Sequence, residues 1–202
     1  LNPVNKDPDS RVIVTFDPTE REGIAFRHGS LTPEQQVTLT ESQLNFIRGV
    51  RTDEVPAGTL RRRASSNALL GDIVNSYPVD DLYSAFAGAR AGRTPVVYVG
   101  ANDGILHGFN ALTGQELFGY VPNKILDSTQ AYRNTLNEFT NSFYQHKFFV
   151  DLTPRLNDVY VRANSGAASK SWNTVLMGGL GAGGKGFFAL NVTDPATRFS
   201  SE

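Results

Sequence analysis

The 202-residue sequence contains no cysteine, one methionine and one tryptophan, and its charges almost cancel, with 19 Lys and Arg against 20 Asp and Glu. Without cysteine there is no disulfide scaffold, thiolate zinc site or thiol nucleophile. A formal net charge of −1 gives no electrostatic reason to expect a nucleic-acid partner. No apolar run approaches the roughly 20 residues that a membrane-spanning helix needs, and the first ten residues lack the pattern of a signal peptide. We therefore expect no membrane span in this sequence.

Turn-forming and aromatic residues are abundant, with 19 Gly, 10 Pro, 13 Phe and 7 Tyr. In the first half, the β-branched run at 11–17 predicts a strand that ends in a turn. Thr32, followed by Pro33 and by Gln35 as a capping partner, predicts the start of a helix that ends near Gly49. At helical spacing, this helix has three apolar residues on one side, namely Val37, Leu44 and Ile47.

The segment that follows this helix has weaker patterns. Arg61, Arg62 and Arg63 form a basic run that predicts a solvated face, with acidic partners nearby at Asp53 and Glu54. Residues 69–76 predict a turn that enters a short strand, which a proline at position 78 ends. Residues 85–93 are small and basic and predict a short helix or a loop.

In the second half, strand-length apolar segments recur with turn residues between them. Three strands are predicted at 96–100, 105–111 and 116–121, joined by glycine turns. Apolar residues at helical spacing then predict a helical insertion, and they are Tyr132, Leu136, Phe139 and Phe143. Further strands are predicted at 147–151, 158–162, 173–178 and 186–192.

A short repeat connects the two groups of strands. Phe109-Asn110-Ala111 and Leu190-Asn191-Val192 end similar strands 81 residues apart, each after a glycine-rich turn. A propeller blade takes about 40 to 50 residues, so this spacing fits one blade plus an insertion, or two blades. The helical segment between the repeats favours one blade plus an insertion, and the repeat itself indicates a radial β architecture.

The sequence offers no clear set of catalytic or ligand-binding residues. The glycine-rich segment at 179–185 fits a dinucleotide motif, but a β-rich segment follows it instead of a helix, so a glycine hairpin is expected. The histidines lack metal-ligand spacing, and the acidic residues lack the alternation of a calcium loop; these residues are His28, His107, His146, Asp80, Asp81 and Asp103. We predict no catalytic, cofactor-binding or metal-binding residues in this chain.

Residues 96–114, VVYVGANDGILHGFNALTG, resemble the blade signature of the PilY-type proteins of bacterial type IV pili. Similar segments follow the family order, and they are LNFIRG at 44–49, LGDIVNS at 70–76, HKFFVD at 146–151 and WNTVLMGGLGAGGKG at 172–186. Part of the signature is shared with quinoprotein-like propellers in general. The glycine-rich segment and the segment that begins at His146 favour the pilus family.

The resemblance implies a mainly β fold, a partial quinoprotein-like β-propeller of meander blades with helical insertions. At 40 to 50 residues per blade, the chain holds about three or four blades, so we expect residues 1–202 to be a fragment of one propeller domain. The expected parts are a helical or loop insertion at 31–71, a blade meander at 96–122, a helical insertion at 123–146 and further blade strands at 147–195.

The resemblance also implies a function, namely a non-enzymatic component of a pilus-tip protein in pilus biogenesis, surface adhesion and twitching motility. It implies secretion to the pilus tip or cell surface, with association with the outer membrane as an alternative. The implied partners are minor pilins, the pilus tip complex, and a host or abiotic surface. Binding is expected on the insertions at 31–71 and 125–144, because loops on a rigid scaffold commonly carry binding.

Two departures from the family pattern matter. The calcium of the family is held by an Asp-rich loop that does not occur here, so no cofactor is expected in this chain. The passage from Tyr77 to Asp81 is shorter than the family pattern. Two alternatives stay open: an enzyme of the quinone-dependent dehydrogenase type, because it shares the blade motif, and a scaffold that only holds other envelope proteins.

Overall fold

In the computed structural model, residues 7–64, 69–81, 92–129, 134–163 and 166–199 are described. They form a mainly β fold with two sheets, as the sequence predicts. The first sheet has the strand order β2-β1-β6-β5-β4-β3, and the second has the order β7-β8-β9. The strands are β1 Ile13–Asp17, β2 Glu22–Ala25, β3 Val79–Asp80, β4 Val96–Gly100, β5 Leu106–Asn110, β6 Glu116–Tyr120, β7 Arg155–Val161, β8 Ser171–Gly179 and β9 Phe187–Asn191; the helices are α1 Pro33–Thr38, α2 Glu41–Arg48 and α3 Pro195–Arg198.

Three strands in series form the centre of the first sheet. Strands β4, β5 and β6 pair antiparallel in chain order, where the sequence predicts three strands. Gly104 allows the first turn, because its φ of +87° is strained for residues with a side chain. The strand predicted at 11–17 is confirmed as β1, and it joins the sheet parallel to β6, with Ile13 opposite Gly119. Strand β2 was not predicted.

The predicted helix after Thr32 is confirmed at both ends but is interrupted in the middle. Thr32 and Gln35 form a capping box for α1, and Thr40 and Gln43 form a second one for α2. Because the chain is extended at residues 39 and 40, Val37 does not share a side with Leu44 and is 82% exposed. The prediction that these residues lie on one side is therefore wrong for Val37.

The two sheets share one core. Tyr120 of β6 lies against Phe188 of β9, with ring centroids 5.0 Å apart, and Phe118 stacks on Phe199 at 3.8 Å. The core cluster extends from Ile13 in β1 to Leu176 in β8. The sheets therefore pack face to face.

Two predicted strands are absent. Residues 69–78 form bends, and the short strand β3 begins only after Pro78. Residues 147–151 bury Phe149 and Val150 but pair with no strand. The amide of Phe149 bonds to the side chain of Asn102 instead, at 3.1 Å, and the amide of Asp151 bonds to the carbonyl of Leu180 at 3.2 Å. Side chains and turns thus satisfy backbone groups that a sheet partner would otherwise bind.

The insertion predicted between 123 and 146 contains short 3₁₀ turns at Asn123–Leu126 and Leu136–Thr140. Leu136 and Phe139 are buried, whereas Phe143 is 90% exposed, so a continuous helical face is not formed. Tyr132 and residues 85–91 lie outside the described residues. Within the described part of the chain, no helix is both long enough and apolar enough to cross a membrane.

Candidate functional site

The segment at residues 69–78 forms hydrogen bonds to side chains in the loops next to both sheets. The amide of Gly71 donates to Asp103 Oδ2 at 2.9 Å, which ties the segment to the β4–β5 turn. The amide and the side chain of Asn75 donate to the two oxygens of Asp151, at 3.1 and 2.7 Å. The amide of Tyr77 donates to Thr153 Oγ1 at 3.0 Å. Because these partners are remote in sequence, the segment has a defined course without being a strand.

Asp72 adds a fourth anchor to this segment. Its Oδ2 accepts a bond from Asn102 Nδ2 at 2.9 Å and lies 2.7 Å from His146 Nε2. Despite burial, which opposes the shift, the hydrogen bonds from Asn102 and His146 hold the pKa of Asp72 below its usual value. Asn102 therefore connects the 69–78 segment to the loop that contains Phe149, whose amide its Oδ1 accepts.

The 69–78 segment presents apolar side chains outward. Ile73 is 40% exposed, Val74 53% and Tyr77 74%, and Leu152 from the adjoining loop is 53% exposed. Rigid display of apolar groups favours binding, since little conformational entropy is lost when a partner docks. We call these four side chains the apolar loop surface.

A buried chain of charges lies beneath the segment. His107 of β5 has Asp103 Oδ2 3.1 Å from its Nε2 and Glu116 Oε1 2.8 Å from its Nδ1. Arg11 donates to both oxygens of Glu116, at 2.8 and 2.9 Å, and its Nη1 donates to the carbonyl of Arg48 at 2.7 Å. These side chains thus link the β4–β5 turn to the N-terminal strand and α2.

The protonation states of these buried charged side chains follow from their geometry. Burial lowers the pKa of His107, but the carboxylates of Asp103 and Glu116 together outweigh it and raise that pKa to about 9. Glu116 has its pKa held well below the usual range, because His107 and Arg11 outweigh the effect of burial. Both groups are therefore charged at neutral pH, and both ring nitrogens of His107 face a carboxylate.

The histidines and acidic residues considered in the sequence do not gather into one site. His107 and Asp103 meet in the buried chain, and His146 meets Asp72, whereas His28 lies in a separate 3₁₀ turn at His28–Ser30. Asp81 pairs with Arg93 at 3.3 Å. Among the described residues there is no cluster of three or more acidic, His or Cys side chains able to hold a metal ion.

The basic run at 61–63 is the predicted solvated face only at Arg62, which is exposed. Arg63 is only 6% exposed, pairs with Glu54 at 3.0 Å and lies 3.7 Å above the ring of Phe46. Arg61 lies between the rings of Phe139 and Tyr144, at 4.2 and 4.3 Å from their centroids. Cation–π contacts and a buried carboxylate offset the cost of burying these guanidinium groups. The exposure of Arg62 and the pairing with Glu54 are confirmed, whereas the prediction of a solvated face is wrong for Arg61 and Arg63.

The glycine-rich segment connects the antiparallel strands β8 and β9 as a hairpin loop, as predicted, and contains a 3₁₀ turn at Gly181–Gly183. A Cβ atom at Gly183 would lie 2.2 Å from the carbonyl oxygen of Phe149, so a side chain is excluded there by the backbone of the neighbouring loop. Gly181 and Gly184 have φ angles of +59° and +135°. These glycines allow two loops to pack together, and no helix follows them to form a phosphate site.

The sequence does not predict that Asp and Asn side chains hold the 69–78 segment in place, although Asp103 is among the acidic residues considered above. Each lies beside a turn or at the end of an apolar segment, where short polar side chains often bond to backbone amides. That tendency marks them as capable of such bonds, but it does not identify their distant partners.

Comparisons with known proteins agree with this fold. A family model described as the PilY1 beta-propeller domain matches residues 66–199. This chain belongs to that family. It is 41% identical over 173 residues to a type IV pilus biogenesis factor PilY1 homolog from Xylella fastidiosa, covering 76% of this chain and 13% of that protein. It is 37% identical over 204 residues to the type IV pilus biogenesis factor PilY1 of Pseudomonas aeruginosa strain PAK, covering 85% of this chain and 16% of that protein.

The chain therefore spans only a small part of the length of these relatives. The relative from Pseudomonas aeruginosa strain UCBPP-PA14, 38% identical over 181 residues, is covered over only 14% of its length. No solved structure matches the chain significantly.

Proposed function

We propose that this chain is a non-enzymatic part of a type IV pilus biogenesis factor and that its apolar loop surface binds a protein of the pilus machinery. The observation that carries the proposal is the match of residues 66–199 to the PilY1 β-propeller domain. The relatives named as pilus biogenesis factors extend this match into the N-terminal half of the chain. The expected partners are minor pilins at the pilus tip.

The geometry supports a binding role more than a catalytic one. The charged groups of the buried chain neutralise one another, and both nitrogens of His107 are engaged by carboxylates. Exposed apolar side chains on a fastened segment suit protein association. Much of the insertion at 31–71, where the sequence predicts binding, is buried, with Leu44, Phe46 and Ile47 in the core. We therefore place the binding region on the apolar loop surface instead.

The finer features of the proposal extend beyond the family assignment. We propose that the strands form meander blades of a quinoprotein-like propeller, that the protein acts in adhesion and twitching motility, and that it is secreted to the pilus tip. The repeat of strand pairs supports the blades, because β4–β5 and β8–β9 have equivalent registers. The proposal assigns no cofactor to this chain, and calcium binding, where the family has it, belongs to its Asp-rich loop.

The test is a pair of chromosomal variants in the gene that encodes this chain. Tyr77→Asp places a charge on the apolar loop surface, whereas Leu112→Asp does so at the β5–β6 turn, where the side chain is 79% exposed. We expect Tyr77→Asp to reduce surface pili, twitching and capture of minor pilins toward the level of a deletion strain, with normal secretion. Leu112→Asp should leave all three unchanged.

Each component of the proposal can fail separately. If deletion of the gene leaves piliation and twitching unchanged, the pilus role is wrong. If Tyr77→Asp behaves like Leu112→Asp while deletion abolishes pili, the apolar loop surface is not the binding site. A quinone absorbance band in the purified full-length protein would contradict the non-enzymatic assignment.

A further inference from the structure

A cleft of about 310 Å³ lies where three loops meet at one end of the first sheet. Strands β1 and β6 are parallel neighbours, so the chain leaves both of them at the same end. The turn after β1, the start of α1 and residues 123–129 after β6 form the three walls of the cleft. We call this feature the polar cleft, and it shares no residue with the apolar loop surface.

Hydrogen bonds between the walls hold the polar cleft open in a fixed shape. Gln35 Nε2 donates to the carbonyl of Phe16 at 3.0 Å and joins α1 to the end of β1. The amide of Ser128 donates to Thr38 Oγ1 at 3.3 Å and joins the third wall to α1. Because the walls are already fixed, little conformational entropy is lost when a ligand enters.

The side chains around the polar cleft supply hydrogen-bonding groups that the fold does not use. Glu34 and Lys124 are exposed, and Asn123 is half-buried. None of these three side chains bonds to another residue in the described ranges, and the same is true of the hydroxyls of Thr19 and Ser128. A carboxylate accepts, an ammonium group donates, and amides and hydroxyls do both. The cleft therefore presents a mixed set of donors and acceptors.

The electrostatics of the polar cleft favour a neutral ligand. The unpaired charges of Glu34 and Lys124 are opposite in sign, so neither an anion nor a cation gains a clear advantage. The start of α1 does not make an anion site, because Pro33 has no amide and the amide of Gln35 donates to Thr32 Oγ1 at 3.3 Å. A ligand that matches the cleft carries several donors and acceptors and no net charge.

We propose that the polar cleft binds a neutral carbohydrate of one or two pyranose units. Each hydroxyl of a sugar both donates and accepts, which matches the mixed groups of the cleft, and its C–H groups suit the small apolar lining at Pro18 and Leu126. The volume is near the lower end of the range for ligand sites, about 300–1,000 Å³. A peptide with bulky apolar side chains fits less well, because these two are the apolar residues of the described lining. The inference goes beyond the proposed pilus role and does not depend on it.

Saturation-transfer difference NMR of the full-length gene product tests the proposal. The probes are glucose, galactose, mannose and N-acetylglucosamine, each as the free sugar and as its β-linked disaccharide. We expect at least one of them to bind. Tighter binding of the disaccharide would identify a glycan chain as the source of the ligand, whereas equal binding would identify a free sugar.

Two substitutions assign the binding to the polar cleft. Asn123→Ala removes an amide that no described residue uses and should weaken binding by about tenfold, the effect of one or two hydrogen bonds. Ser128→Trp fills the cleft from its exposed rim and should abolish binding. The matched controls are Asn157→Ala and Ser142→Trp, at exposed positions that do not line the cleft, and they should bind like the wild type. Equal unfolding midpoints for all four variants would show that the loss is local.

Three results would overturn the proposal. The first is the absence of binding by every sugar in the panel. The second is binding that persists unchanged in Asn123→Ala and Ser128→Trp, which would place the sugar elsewhere in the full-length protein. The third is binding of glycylglycine, but of no sugar, that Ser128→Trp removes, which would assign the cleft to a peptide end with both charges.

Discussion

At the scale of single residues, the buried charges of this protein are arranged in alternating sign. Asp103, His107, Glu116 and Arg11 follow one another at hydrogen-bonding distances of 2.8 to 3.1 Å. A buried charge without a partner is costly, so each member depends on its neighbours. The two carboxylates of Asp103 and Glu116 hold His107 as a cation in the interior, where a neutral ring would leave one carboxylate without its hydrogen-bond donor.

This arrangement predicts a stability that falls at alkaline pH. The pKa of His107 is about 9 in the folded protein and about 6.5 in an unfolded chain, so its contribution to stability is complete below pH 6.5 and is lost as pH rises through 9. The difference between the two pKa values corresponds to roughly 3 kcal/mol. Urea unfolding between pH 6 and pH 9.5 should show the free energy of unfolding falling by about this amount.

A pair of histidine variants isolates this effect. His107→Gln should be less stable at pH 6 and should lose much of the dependence over this interval. His146→Gln changes the half-exposed pair with Asp72 and should leave the pH dependence of stability between pH 6 and pH 9.5 unchanged. A wild-type protein equally stable at pH 6 and pH 9.5 would show that His107 is not held as a cation.

At the scale of elements, the helical segment shows how local bonds divide the chain. Thr40 and Gln43 each accept the other residue's backbone amide with a side-chain oxygen: Thr40 Oγ1 accepts from the amide of Gln43, and Gln43 Oε1 accepts from the amide of Thr40. This second box allows α2 to start anew after the extended residues 39 and 40. The pattern Thr-x-x-Gln at 40–43 is a recognisable start signal within what was predicted as one helix.

The second box gives a prediction for α2. Thr40→Ala should lower the free energy of unfolding by about 1 kcal/mol, because an orphan amide at the helix start loses its acceptor. Thr40→Ser keeps an oxygen at the same place and should retain most of the stability. Urea denaturation of both variants measures the difference, and equal losses for Ser and Ala would mean that the cap is not the source of stability.

The elements also show how far the sequence determines the structure. Strands β4, β5 and β6 and the glycine turn before β9 were predictable, because alternating apolar residues and positive-φ glycines are local signals. The 69–78 segment was not, since its amides bond to Asp103 and Asp151, which lie far along the chain. Arg63 was predicted as exposed because its sequence neighbours are basic, whereas its true neighbours are Glu54 and Phe46.

At the scale of the whole molecule, the fold begins before the family match. The match starts at residue 66, but β1 pairs with β6 inside the first sheet. Ile13, Phe26 and Leu44 are each 0% exposed and belong to the shared core. The bond from Arg11 to Glu116 joins the two parts by charge as well as by packing. Residues 7–64 therefore form one folding unit with the strands that follow.

This unity predicts that a chain truncated to residues 66–202 will not fold cooperatively. The truncation removes the strand beside β6, part of the core and the guanidinium partner of Glu116. Loss of one member of a buried ion pair alone costs about 3–5 kcal/mol, a large part of the stability of an ordinary domain. Amide NMR dispersion and urea unfolding of 1–202 and 66–202 make the comparison. A dispersed spectrum and a cooperative transition for 66–202 would place the domain boundary at the start of the family match.

Within 1–202, the variant Arg11→Met removes only the charge that pairs with Glu116 and should be strongly destabilising. Arg27→Met is the control, because the pair of Arg27 with Asp9 is largely exposed, and it should have little effect.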